Sequence, residues 1–211
     1  MHLSKCARLI AAIAFIGLSS LTAQMASPAP AAPPLVAPEV SRTRQTRTSP
    51  HETITTFIKE GGKYYSVTIV YGRPYTKDPK SGEPRKIWGD LVPFGQVWRA
   101  GADEATLLIT QDPLVMGGVE IPAGAVTLYA LPAADGSAKL IVNKRIGQWG
   151  YGYSKSTEAN ELARIDLKKD PLEKAVDQFT ILIEADPASC GVVLKLQWAN
   201  TQYSVPFAFK K

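Results

Sequence analysis

The stretch VVLKLQW, residues 192–198, sets Val192, Leu194, Leu196 and Trp198 on one side of an extended chain and Lys195 and Gln197 on the other. A period of two belongs to a half-buried β-strand, whereas an amphipathic helix repeats at about 3.6. The same pattern recurs upstream. Val67, Ile69 and Tyr71 alternate with Thr68 and Val70, Ala105, Leu107 and Ile109 alternate with Thr106, Leu108 and Thr110, and Phe179, Ile181 and Ile183 form another inward set. Residues 119–121, 126–131, 139–143, 161–167 and 203–209 are further strand candidates. The last of these is assigned to a sheet edge, because Pro206 has no N–H to give to a ladder.

Turn residues separate these runs at short intervals: Gly117-Gly118, Pro122-Ala123-Gly124, Asp135-Gly136 and Asp186-Pro187. The one helical turn expected is Asp170-Pro171-Leu172-Glu173, with Asp as cap and Pro in the first helical position. Strands without intervening helices rule against a doubly wound α/β fold. They predict an all-β, jelly-roll-like antiparallel β-sandwich of about eight to ten strands with at most one or two short helical turns.

Ahead of this domain, Lys5 and Arg8 precede an apolar run from Leu9 to Leu18 and then Ser19, Ser20 and Thr22. The run is about half the length needed to span a bilayer, so residues 1–23 read as a signal peptide and leave no transmembrane anchor after cleavage. The expected location is periplasmic or extracellular. Residues 24–50, rich in Pro and Ala and then in Arg, read as an extended linker. Residues 51–211 form the domain. Loss of Cys6 with the signal peptide leaves Cys190 alone, so no intrachain disulfide is expected. The formal net charge of +5 resides largely in the leader and linker, because residues 51–211 carry 19 basic and 18 acidic side chains. A domain so nearly neutral offers no basic stripe for nucleic acid.

Four segments are distinctive: GDLVPFGQVWRAGADEATLL (89–108), VEIPAGAVTLYALP (119–132), LIVNKRIGQWGYGY (140–153) and LQWANTQYSVPF (196–207). In order and spacing they resemble the bacterial family catalogued as domain of unknown function 2911, over about residues 67–207. The resemblance implies an exported, predominantly β protein, and it implies no reaction, substrate or cofactor. Where motifs of that family show Asn before the Glu of the first segment, this chain has Asp103.

The residue inventory narrows the chemistry. His51 is the one histidine beyond the leader, at the linker boundary, so neither a His-dependent nucleophile nor a His- or Cys-rich zinc site is expected. No calcium loop or phosphate loop occurs, and no metal or organic cofactor is expected.

Two constellations remain. Arg73, Trp98, Arg99 and Glu104 place guanidinium groups beside aromatic surface, which suits a carboxylate or another anion. An Arg99–Glu104 ion pair holding the Ala100-Gly101-Ala102 bend closed is the structural alternative. In GQWGYGYS, residues 147–154, Trp149, Tyr151 and Tyr153 would share one face of an extended chain. These rings either cover the core or line a groove for a glycan or peptide, with Asn143 and Gln148 supplying hydrogen bonds. The leading functional expectation is a binding module for a carbohydrate or cell-envelope component. A His-independent hydrolase or lyase using Glu, Arg and Tyr, and an envelope-assembly or protein-interaction domain, are the alternatives.

Overall fold

The structure, a computed structural model, describes residues 47–150, 152–186 and 191–210. The expectations for the signal peptide, Cys190 and Tyr151 lie outside the described residues. So do the expectations for most of the linker.

The chain enters through a hairpin of β1 (His51–Glu60) and β2 (Lys63–Gly72), closed by Gly61 and Gly62. Both glycines have positive φ, +58° and +83°, as the favoured two-residue hairpin turns require. Next come β3 (Thr106–Thr110), β4 (Leu114–Met116), β5 (Val119–Ile121), β6 (Gly124–Pro132) and β7 (Ala138–Asn143). A single turn of helix, α1 (Lys155–Glu158), precedes two long strands, β8 (Glu161–Asp186) and β9 (Gly191–Phe209). All neighbours pair antiparallel in the order β1-β2-β3-β6-β7-β8-β9-β4-β5.

The expected antiparallel all-β class is therefore present, with nine strands among the described residues. The strands form one continuous sheet. The start of β8 pairs with β7 as far as Leu167, and from Lys168 onward β8 pairs with β9, with register shifts between Pro171 and Thr180. Beyond that break the sheet folds over itself. Tyr65 of β2 stacks on Phe209 of β9 with ring centroids 4.0 Å apart, and Tyr71 of β2 meets Phe179 of β8 edge-on at 5.9 Å. The alternation read from sequence faces this interior: Val67, Ile69 and Tyr71 of β2, and Val192, Leu194, Leu196 and Trp198 of β9, are all buried.

Two local expectations are corrected. Residues 170–173 are part of β8, not a helical turn. Asp170 and Pro171 pair with Gln202 and Thr201, and the irregularity that Pro171 introduces is absorbed as a register shift. The helical turn lies at 155–158 instead, where the Ser154 hydroxyl accepts from the Thr157 N–H at 3.3 Å. Residues 203–209 are not a sheet edge. They continue β9, with Ser204 opposite Lys168 of β8 and Phe207 opposite Met116 of β4. The edges are β1 and β5.

At one end of the interior Trp88, Trp98 and Trp198 cluster with Phe179 and Tyr203. Trp98 exchanges two 2.8 Å backbone hydrogen bonds with Ala130 of β6. The cluster thereby anchors the segment that follows Trp98, where the candidate site begins.

Candidate functional site

Residues 98–104 form a tight bend with an unusual backbone. Ala100 and Asp103 have φ of +50° and +64°, a left-handed conformation that side-chain-bearing residues seldom adopt. Buried Thr106 closes the bend, its hydroxyl donating to the Ala100 carbonyl at 2.6 Å and its N–H to the Arg99 carbonyl at 3.3 Å. The bend also presses on the end of β2. The Ala102 N–H donates to the Gly72 carbonyl, and a Cβ on Gly72 would stand 2.3 Å from the Ala102 oxygen. A strained backbone held by this many contacts is typical of functional sites.

The second distinctive segment docks on the first. Glu104 bridges Trp149, the Gly150 N–H donates to the Asp103 carbonyl at 2.9 Å, and the Ala105 N–H approaches the Gln148 carbonyl at 3.4 Å. The two sequence motifs thus form one structural unit.

A cavity of about 360 Å³ opens at this junction, lined by Arg47, His51, Tyr71, Glu104 and Gln148 among others. Glu104 pairs with Arg47, and His51 Nε2 lies 3.1 Å from Asp103 Oδ2 and 3.4 Å from Glu104 Oε2. Among the described residues, two buried side-chain acceptors have no hydrogen bond, Glu104 Oε2 and Gln148 Oε1. The Gln148 amide nitrogen donates to the Tyr129 hydroxyl at 2.7 Å and to the Arg145 carbonyl at 3.2 Å. A carbonyl can only accept, so the amide cannot be flipped without losing that bond, and its oxygen is left for something else. Gln148 also borders a neighbouring cavity of about 490 Å³, with Tyr129, Arg145, Trp149 and Tyr153 in its walls.

Tyr71 and Tyr153 donate to Glu52 and Glu161, and Tyr129 accepts from Gln148. Burial pushes the phenols of Tyr71, Tyr129 and Tyr153 above their ordinary pKa, and hydrogen bonds to Glu52 and Glu161 raise Tyr71 and Tyr153 further. All three stay protonated at neutral pH, which removes them as general bases. Among the described residues, no group of three or more His, Cys, Asp or Glu side chains is placed to hold a metal ion.

The sequence candidates separate into two sets. Glu104, Gln148 and Trp149 come together at the junction, while Trp98 and Arg99 line a different cavity of about 310 Å³. Arg73 is engaged within the fold, with its Nη2 on Thr180 at 2.9 Å, Nε on the Phe179 carbonyl at 3.2 Å and Nη1 3.4 Å from Glu52. Asn143 is buried, and its amide binds the Thr157 carbonyl and the Arg145 N–H. In place of the expected Arg99–Glu104 ion pair, Glu104 meets Arg47 and His51, and Arg99 Nε donates to the Gly101 carbonyl at 3.2 Å. The expected aromatic face is interrupted at Gly152, whose φ is +64°, and Tyr153 packs on Tyr129 with ring centroids 4.8 Å apart. His51 and Arg47 are the residues that sequence reading missed. They lie more than 50 positions from Asp103 and Glu104, and no local motif connects them.

Fold and site together define an antiparallel β domain with a tight bend and small cavities around it. The model of the family described as "Protein of unknown function (DUF2911)" matches residues 49–207, and the chain belongs to that family. No curated protein and no solved structure matches the chain.

Proposed function

We propose that this protein is an exported binding module, and that its junction cavity takes a hydroxyl-bearing ligand of the carbohydrate or cell-envelope class. One observation carries the reading: Glu104 Oε2 and Gln148 Oε1, both buried and without a hydrogen bond, belong to residues in the walls of the same cavity. Buried acceptors left empty are costly, by about 1–3 kcal/mol each, and a ligand bearing O–H groups supplies the missing donors. The neighbouring cavity adds the Trp149 ring and the Tyr153 and Ser154 side chains, the mixture of flat apolar and polar surface that suits a sugar. Export is supported by the basic and then apolar leader of residues 1–23.

The test is thermal unfolding and calorimetry of the full chain with neutral and acidic oligosaccharides and cell-wall fragments, beside Gln148→Leu and Glu104→Gln. At a concentration of 100 Kd a true ligand stabilises the native state by about 2.7 kcal/mol. The expected result is that one chemical class raises the melting temperature and that Gln148→Leu weakens it about tenfold. Absence of any response across the panel, or equal affinity in both variants, defeats the reading.

A further inference from the structure

The bend has a second cavity, of about 310 Å³, among whose lining residues are Trp98 and Arg99. It shares no lining residue with the Glu104–Gln148 cavity. Its orphaned polar groups have the opposite character. Trp198, 1% exposed, carries a buried Nε1–H without a partner, and so does the Nε of Arg85. An indole N–H and an Arg Nε–H can only donate, so no side-chain flip within the protein satisfies them. Arg85 is fixed in place, because its Nη2 donates to the Tyr75 carbonyl and its backbone N–H to the Thr76 carbonyl at 2.8 Å.

Charge points the same way as the donors. Two guanidinium groups, Arg85 and Arg99, line the cavity, and its one carboxylate, Asp103, already faces His51 at 3.1 Å. A guanidinium beside donor-only groups suits an anion, and the aromatic rings beside it favour a carboxylate with an apolar body over inorganic phosphate. Aromatic rings form one part of the remaining wall, with Thr48 and Ser49 in another. Trp98 and Trp198 stack with centroids 5.6 Å apart and planes 18° from parallel, and Tyr75 and Leu91 also line the cavity. The volume lies at the small end of ligand pockets, which begin at about 300 Å³.

We propose that this cavity is a binding site for a small monocarboxylate with a flat apolar body. The carboxylate oxygens accept from Trp198 Nε1 and Arg85 Nε, and the body lies against Trp98 and Tyr75. The site is independent of the hydroxyl-ligand reading above and goes beyond it.

The probe is benzoate, added to the full chain with 15N-labelled tryptophan, with benzamide as its neutral counterpart and inorganic phosphate as a different anion. The Trp198 indole resonance is assigned from its disappearance in Trp198→Phe. Benzoate is expected to shift that resonance saturably with a Kd on the order of 1 mM or tighter, benzamide and phosphate are not, and Arg85→Gln is expected to weaken benzoate about tenfold. No saturable shift, or benzamide binding as well as benzoate, overturns the proposal. Phosphate moving the resonance as strongly as benzoate makes this a general anion site and also overturns it. Should Trp198→Phe fail to fold, Arg85→Gln, changed in a surface loop, carries the test by calorimetry, and wild-type benzoate affinity in that variant sinks the idea. Because the cavities share no lining residue, a negative result here leaves the oligosaccharide test unaffected, and the reverse also holds.

Discussion

Gly150 packs so closely on Arg99 that a Cβ added to it would stand 2.0 Å from the Arg99 Cδ and 2.8 Å from the Asp103 carbonyl oxygen. The Arg99 side chain can swing aside, but the Asp103 carbonyl is backbone and already accepts the Gly150 N–H at 2.9 Å. This glycine is required for space. Gly150→Ala is expected to push the two motif segments apart and cost about 1–3 kcal/mol, the range for overpacking a tight contact. Urea denaturation measures it, and a variant as stable as wild type means that the two segments are not locked together.

Tyr71 joins three parts of the fold through one hydroxyl, which donates to Glu52 at 2.6 Å and accepts from the Ile181 N–H at 3.0 Å. Tyr71→Phe keeps the ring against Phe179 and strands the Ile181 N–H, so a loss of about 1–3 kcal/mol is expected. The pH dependence has a definite sign. Burial and Glu52 raise the folded phenol above the unfolded value of about 10, so its contribution is complete below that pH and is lost as pH rises toward the folded pKa. Stability measured from neutral to strongly alkaline pH should therefore fall less steeply in Tyr71→Phe than in wild type. Parallel curves would show that Tyr71 does not govern the alkaline limb.

The acid limb belongs in part to Glu161. Arg164 donates to it at 2.7 and 2.8 Å and holds its carboxyl below the ordinary range, although burial opposes the shift. A depressed folded pKa stabilises the protein above the unfolded value of about 4.3, and that contribution disappears as pH falls through the folded value. Glu161→Gln should lower stability at neutral pH and bring the variant and wild type together in strong acid. A gap of constant size across that range would assign the loss to packing.

How far the sequence could reveal this arrangement depends on the range of the interactions. Strands showed wherever one face was apolar and the other polar, as in 67–71 and 192–198, the glycine turns at 117–118 and 135–136 fell between strands, and the turn at 122–124 ends on Gly124, the first residue of β6. The β1 strand was missed, although Ile54, Thr56 and Ile58 alternate. Its outward face carries Phe57, 74% exposed, and the mixed polarity blurs the pattern. Local propensity was overridden at Asp170-Pro171, where pairing with β9 outweighed a helix-start signal, and at Pro206, whose neighbours are paired by long-range partners. The same limit applies to the site. Both motifs were visible as residues, but their union rests on Glu104 meeting Trp149 and on His51 meeting Asp103, and separations of 45 and 52 positions leave no periodic trace. Arg73 and Arg99 carry the same chemistry in sequence, and only the structure shows that Arg73 is held by Phe179 and Thr180 while Arg99 borders a cavity.

The tryptophans separate in the same way. Trp198 is 1% exposed and touches Trp88, Trp98 and Phe179, so Trp198→Ala is expected to cost about 3–5 kcal/mol. Trp149 is half-buried and lines the 490 Å³ cavity. Trp149→Ala should cost no more than about 1 kcal/mol, the centre of the distribution for point variants, while abolishing the ligand response of the junction. If Trp149→Ala unfolds the domain as Trp198→Ala does, its ring is structural and the ligand surface must be sought on the Glu104 side.

Asp103 has a φ of +64°, a conformation that only a few residue types enter readily. Asn and Asp enter the left-handed region more readily than other side chains, because their short polar groups can bond locally. Asp103→Ala and Asp103→Gly both remove the carboxylate that faces His51 at 3.1 Å, so their difference isolates the backbone. At an ordinary helix or strand position Ala is more stable than Gly by roughly 0.5–1 kcal/mol. Here the order should reverse, with Gly better by about 1 kcal/mol, while Asp103→Asn stays the closest of the three to wild type. If Ala proves better than Gly, the bend relaxes out of its left-handed conformation without the carboxylate, and the His51 contact, not the fold around it, is what imposes the strain.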